Sequence, residues 1–345
     1  MPLRLALALL TGALLAALYP PFDLRWFAPI ALTPLLVALG REFRPACRFA
    51  LGYAAGLVLW AGVCWWIAPV LEVHGGMGAF GGWGSFVLFC LLKSIHYGVF
   101  GLLAGILIRH WYGPPAAALL WAVLERTQEP LTLFGWLMLG DAAIDMPVPL
   151  RLAPFAGVYG LSFLFALTAA SFAVIFLSQP RQRASWALLS LLPSFLPPLP
   201  SALPPTATAA LVQPNLDAEM DWTAESYAAA KSNLVALSEA AAARGPLDLI
   251  VWPETPGPIF YGSDPDLRTR VHELSSKAAA PVLLGSIWRD SSGAPLNSAF
   301  LAPSGVRYDK VFLVPFGEYV PSLFSFVNQV SDEVGAYTPG AAVTT

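Results

Sequence analysis

Long apolar runs dominate the first part of the chain. Seven stand out, at 5–19, 26–40, 49–70, 84–108, 114–125, 155–178 and 185–199. Crossing a bilayer as a helix takes about 20 apolar residues. The runs 49–70, 84–108 and 155–178 meet that length. The others are shorter, or are interrupted by Pro29, Pro34 and Pro193. The first, behind Arg4, has the form of a signal peptide or of a retained helix. No small-x-small cleavage site precedes Tyr19-Pro20-Pro21, which favours the helix.

Further along, the pattern changes. Prolines 197, 198, 200, 204 and 205 stiffen Leu196–Thr206 into an extended connection. We take 200–207 as a linker between a membrane domain at 1–199 and a globular domain at 208–345. Apolar runs in the globular part are short and alternate with longer amphipathic ones. The pattern predicts a strand at Ala209–Val212, an alanine-rich helix at Thr223–Arg244 and a strand at Leu249–Val251. It predicts a helix at Pro265–Ala279 with Asp264 as N-cap, then strands at Val282–Ile287, Ser298–Ala302, Val306–Tyr308 and Val311–Val314. Strand and helix in alternation, followed by a hairpin, imply a layered α/β domain.

Charge sharpens this division. The chain is 57% hydrophobic and 12% charged, about half the charge of an ordinary soluble domain. Residues 1–205 hold 11 basic and 7 acidic side chains, a net +4; residues 206–345 hold 8 and 15, a net −7. An acidic globular part argues against nucleic acid as a partner. If the N-terminus is inside, Arg4, Arg41, Arg44, Arg48, Arg109, Arg181 and Arg183 fall on the inner side, against Arg25, Arg126 and Arg151 outside. That asymmetry follows the positive-inside rule and puts the globular part on the outer face. Cys47, Cys64 and Cys90 all lie in apolar segments. They form no disulfide framework and no metal spacing. No metal or nucleotide motif appears, so no cofactor is expected.

Candidate chemistry gathers in two stretches. In LDLIVWPETPGP, Glu254 follows the apolar run Leu249–Val251, where the prolines forbid further ladder. In YDKVFLVPFGEYVP, Lys310 and Glu318 flank Val311–Val314. A carboxylate beside a cation can act as general base, and a lysine can stabilise the oxyanion of a tetrahedral intermediate. Both need a nucleophile, and for acyl transfer a thiol is the usual one. In the membrane part, Lys93 and His96 sit near the middle of the fourth run. Ionisable groups at that depth mark function, or are satisfied between helices. Glu125 and Arg126 are expected at an outer helix end, as a cap or an ion pair. The stretch 131–151, with Phe134 and Trp136, is expected as an outer loop at the membrane interface.

WPE after a strand, followed by YDK…LVPFGEYVP, resembles the carbon–nitrogen hydrolase (nitrilase) superfamily with its Glu–Lys–Cys triad. Seven preceding membrane segments narrow the resemblance to its apolipoprotein N-acyltransferase branch. VQPNLDAEMDW at Val212–Trp222, Asn297-Ser298, YTPG at Tyr337–Gly340, and the WFAPIALTPLL and GVYGLSFL stretches are similar to that branch as well. The resemblance implies a multi-pass helical membrane domain followed by an α/β nitrilase-type sandwich. It implies transfer of a fatty acyl chain from a phospholipid to the N-terminal amine of a diacylglyceryl-cysteine lipoprotein, through an enzyme thioester. Glu254 would then be the general base, Lys310 the oxyanion stabiliser, Glu318 a supporting carboxylate and Trp222 a substrate contact. The expected setting is a bacterial inner membrane with the catalytic domain in the periplasm.

The chain departs from the family in one respect. Residues 206–345 contain no cysteine, and the family's nucleophile follows the pattern matched by YTPG. The expectation is an incomplete sandwich, cut before the thiol and unable as given to form the thioester, with a sheet edge left open. Two other readings remain: a membrane-tethered amidase of the same superfamily, and a non-catalytic lipid-binding membrane protein. Leu323–Val327, LFSFV, favours the acyltransferase if it covers an acyl chain.

Overall fold

The computed structural model describes all residues except 74, 133, 178–180, 201–203, 218–219, 255–256, 316, 320–336 and 343–345; the side chains of 181–184 are also outside the description. The chain forms two compact units, Met1–Ser201 and Ala202–Thr345.

The first unit is helical: α1 Pro2–Ala17, α2 Thr33–Gly40, α3 Pro45–Val63, α4 Ile67–Val73, α5 Gly78–Leu107, α6 Gly113–Thr132 and α7 Ala153–Phe176. Three helices are long and apolar enough to cross a membrane: α3, α5, and the stretch Pro149–Phe176 that contains α7. They coincide with the three runs of sufficient length. Where proline intervenes, the helices are short. Run 26–40 yields only the eight residues of α2, with Pro34 in its first turn, where a missing N–H costs nothing. Most of run 185–199 lies in a 3-10 segment, Arg181–Phe195, that contains Pro193.

Helices α3 and α5 approach closely through small residues. A Cβ added at Gly52 would sit 2.1 Å from the Tyr97 carbonyl oxygen, and one at Gly101 would sit 2.5 Å from that of Arg48. Close contact of this kind is how apolar helices associate when burial from water cannot drive them. Several of the arginines assigned to the inner side meet. Arg4 pairs with Glu42, and Arg48 donates to the Glu42 carbonyl at 2.8 Å. Arg109 donates to the same carbonyl and to that of Gly40. Arg41 caps the α7 carbonyl of Phe176.

Two expectations fail here. α6 runs on through Glu125 to Thr132, so Glu125 lies inside a helix rather than at its end. It is 2% exposed and accepts from Trp121 Nε1 and the Leu139 N–H, both at 2.7 Å, instead of pairing with a cation. The stretch 131–151 is also more structured than a loop. It contains 3-10 turns at Leu139–Asp145 and Pro149–Leu152.

The second unit contains β1 Ala209–Leu211, α8 Ala224–Ala242, β2 Leu249–Val251, α9 Pro265–Ala278, β3 Val282–Arg289, β4 Pro295–Ala302 and β5 Val306–Asp309. The strands form one mixed sheet in the order β1-β2-β3-β4-β5. β1, β2 and β3 run parallel; β3–β4 and β4–β5 are antiparallel. Ile250, Val282, Leu284, Phe300 and Ala302 from the sheet pack with Leu234 of α8 and Leu267, Val271 and Leu274 of α9. Asp264 caps α9 by accepting from the Leu267 N–H at 3.0 Å, and Thr223 caps α8.

Val311–Val314, expected as a strand, is not one. β5 ends at Asp309, and Phe312 stands 81% exposed. The Val314 N–H, which a ladder would need, is taken by the Glu318 carboxylate at 2.7 Å, and Pro315 has no N–H to offer. Leu323–Val327 lies outside the described residues.

Candidate functional site

Glu254 reaches the site from the end of β2, on a path held by its neighbours. Trp252 is 3% exposed, and its indole N–H donates to Ser238 Oγ of α8 at 2.9 Å. This tryptophan is a core anchor, and it fixes the chain two residues before the carboxylate. The Glu254 backbone then crosses β3 at Gly285, where a Cβ would lie 1.5 Å from the Glu254 carbonyl oxygen. After Glu254 the chain is tied to β3 again. Ile287 N–H donates to the Ile259 carbonyl, and Ser286 Oγ accepts from the Tyr261 N–H.

Lys310 follows β5 directly. Its N–H donates to the Asn297 carbonyl of β4 at 2.8 Å, and its own carbonyl accepts from the Gly340 N–H. Glu318 sits in the turn after Pro315, with its N–H on the Val314 carbonyl and its carbonyl accepting from the Tyr337 N–H. Three separate stretches thus deliver three side chains to one place.

Lys310 Nζ donates to Glu254 Oε1 at 2.9 Å and to Glu318 Oε1 at 3.1 Å. Asn297 Nδ2 donates to the same two oxygens, at 2.9 and 2.7 Å. Two donors and two acceptors form a closed square. With carboxylates on both sides, the amide orientation of Asn297 is set by chemistry, because only its nitrogen carries hydrogens. Glu318 is the more shielded carboxylate, with a side chain 14% exposed against 62% for Glu254.

The electrostatics follow from this geometry. Burial alone would pull the Lys310 pKa down, but its hydrogen bonds and charge contacts with the two glutamates outweigh it and hold the pKa above the usual lysine value. Burial would raise Glu318; the Val314 N–H, the Asn297 amide and Lys310 instead hold it below the usual carboxylate range. Tyr337, beside Glu318, is raised by burial and further by that negative charge.

The other sequence candidates fall elsewhere. Trp222, 39% exposed, lies against Gly257, where a Cβ would be 2.2 Å from its ring. Lys93 is 2% exposed and fully bonded, donating to Gln128 Oε1, Thr132 Oγ1 and the Phe134 carbonyl at 2.8, 3.0 and 2.6 Å. Its ammonium also lies 4.6 Å from the Trp60 ring centroid. This matches the expectation of a satisfied contact between helices. Trp136 is exposed and packs on Phe134 and Trp66.

Asn297 was noted in sequence only as part of a motif, not as a site residue. The signal that could have found it is an amide inside the apolar strand PLNSAFLA. A buried polar group needs partners, and at 5% exposure Asn297 finds them in the two carboxylates.

Residues 11–171 match the model of the apolipoprotein N-acyltransferase N-terminal domain. The apolipoprotein N-acyltransferase of Geobacter metallireducens is 32% identical over 98% of this chain and 69% of its own length. The chain belongs to the apolipoprotein N-acyltransferase family. The enzyme of that name from Pseudomonas syringae pv. tomato is 29% identical over 91% of this chain and 65% of its own length. That from Azotobacter vinelandii is 32% identical over 91% and 64%. The chain spans about two thirds of the length of the curated relatives it matches. Family membership, together with three helices fit to cross a bilayer, makes this a membrane protein of an acyltransferase family.

Proposed function

We propose that the protein transfers a fatty acyl chain from a phospholipid to the free N-terminal amine of a diacylated lipoprotein. The Glu254–Lys310–Glu318 cluster would be the chemical centre, on a nitrilase-type scaffold. The observation that carries this reading is a lysine held between two carboxylates, one exposed and one half-buried, in a chain whose first unit is built for a membrane.

In the first half-reaction, Glu254 takes the proton of a thiol and the sulfur attacks the ester carbonyl carbon. The Lys310 ammonium faces the oxygen that becomes negative. The proton then passes to the departing glycerol oxygen, releasing a lysophospholipid and leaving a thioester. In the second half, the lipoprotein amine attacks the thioester. Glu254 takes a proton from nitrogen and returns it to sulfur, leaving an amide. Residues 206–345 hold no cysteine, and Cys64 and Cys90 are buried within the helical unit, so the described site supplies base and oxyanion partner but not the thiol.

Both substrates are anchored in lipid, which fits fusion of the α/β unit to apolar helices. The helical unit would lie in a bacterial inner membrane, crossed by α3, α5 and α7, with the basic ends inside and the α/β unit in the periplasm. Trp222, beside Gly257, would contact substrate.

The test is acyl transfer by the protein expressed from its own gene, assayed with labelled phospholipid and a diacylated lipopeptide. Glu254→Gln should lower kcat by at least about a hundredfold, the contribution of a general base. Retention of full transfer by that variant would refute the assignment.

A further inference from the structure

The square of hydrogen bonds makes the two carboxylates unequal. Glu318 has both oxygens engaged: Oε1 by Lys310 and Asn297, Oε2 by the Val314 N–H. Glu254 has Oε1 doubly engaged by the same lysine and asparagine. Among the described residues, no hydrogen bond reaches its Oε2. Asn297 cannot move to suit either partner. It sits in β4 opposite Ile287 of β3 and is nearly fully buried, with its carbonyl held by the Lys310 N–H. Its two amide hydrogens point to two fixed places, and each place is a carboxylate oxygen.

We propose that Asn297 is a positioning residue that divides the work of the two glutamates, locking Glu318 as a fixed partner of Lys310 and leaving Oε2 of Glu254 as the atom that receives the proton. A single ammonium between two carboxylates would not achieve this, because it can rotate and pair with either one. The second, uncharged donor pins both Oε1 atoms on one side and turns the remaining oxygen of Glu254 outward. The asparagine must be neutral: an aspartate there would add a third negative charge around one lysine. Among the described residues, Tyr337 lies beside Glu318, and Asp309, next to Lys310 in the chain, is engaged by Ser298 and Arg307.

The inference rests on Glu254 being the base, and its test is separable from the test of that reading. The protein is labelled with ¹³C at glutamate carboxyls, held in detergent micelles and titrated by NMR, with signals assigned through Glu254→Gln and Glu318→Gln. Asn297→Ala should raise the Glu318 midpoint by about one pH unit, the loss of a hydrogen bond to the charged form. Asn297→Asp keeps the shape and should make the cluster take up an additional proton, with a midpoint about two units above an ordinary carboxylate. If Asn297→Ala does not fold, Asn297→Asp decides alone. Midpoints within about 0.3 unit of the unsubstituted protein would overturn the inference, whatever the transfer assay shows. Shifted midpoints alongside full transfer by Glu254→Gln would instead leave Asn297 positioning the pair and refute Glu254 as the base.

Discussion

Replacing Lys310 by methionine tests the energetics of the cluster directly. The substitution keeps the length of the side chain but removes two charge-assisted hydrogen bonds, to Glu254 and Glu318. Hydrogen bonds to charged groups contribute about 1.5–3 kcal/mol each when shielded. Glu254 is 62% exposed, so water replaces much of its share and that pairing contributes well under about 1 kcal/mol. Glu318 is 14% exposed and would be left with a neutral amide and a backbone N–H. The expected local loss is about 2 kcal/mol, a roughly 30-fold rise in the opening equilibrium of the β4–β5 hairpin. Hydrogen exchange of the 295–309 segment in the intact protein measures it. The pH dependence is fixed in sign. The folded pKa of Glu318 is depressed, so its contribution is present above the unfolded value of about 4.3 and disappears as pH falls through the folded one. The effect should therefore be full at pH ~7 and smaller near pH ~3. Equal protection in the variant and the unsubstituted protein at neutral pH, or an equal loss at both pH values, would refute this account.

Gly285→Ala should be among the most damaging single changes in the α/β unit. Its Cβ has no room beside the Glu254 carbonyl, so β2 and β3 must separate. A loss of about 3 kcal/mol or more is expected, read as collapsed exchange protection in β2 and β3 and loss of the Glu254–Lys310 pairing. Asp264→Ala removes the cap of α9 and the partner of Lys231, which bonds Asp264 at 2.8 Å. Burial raises the Asp264 pKa, but Lys231, the Leu267 N–H and Tyr227 more than offset this and hold it low. The expected loss of about 2 kcal/mol should be present at neutral pH and fade as pH falls below the usual aspartate range. Exchange of the first turn of α9 measures it.

Much of the fold was legible in the sequence because its signals are local. Ala209–Val212, Leu249–Val251 and Val282–Ile287 announce themselves by short β-branched or apolar runs, and α9 by Asp264 and Pro265. The three helices long enough for a bilayer follow from run length alone. Legibility failed where a distant group took over a local one. Val311–Val314 has strand composition, yet a carboxylate four residues on captures its N–H. α6 outlasted its apolar run because Glu125 found buried donors in Trp121 and Leu139 rather than solvent.

The order of residues by itself settled a helical, lipid-compatible first part, an alternating α/β second part, and the presence of a glutamate after one strand and a lysine after another. Those are properties of runs and periods, and they need no knowledge of what lies across the molecule. Only the tertiary structure decided that Glu254, Lys310 and Glu318 share one place, that Asn297 joins them, and that Trp252 and Gly285 serve to aim rather than to react. Side chains 43 and 56 positions apart meet at 2.9 Å because strand pairing sets their register, and pairing is a long-range choice that no local pattern contains.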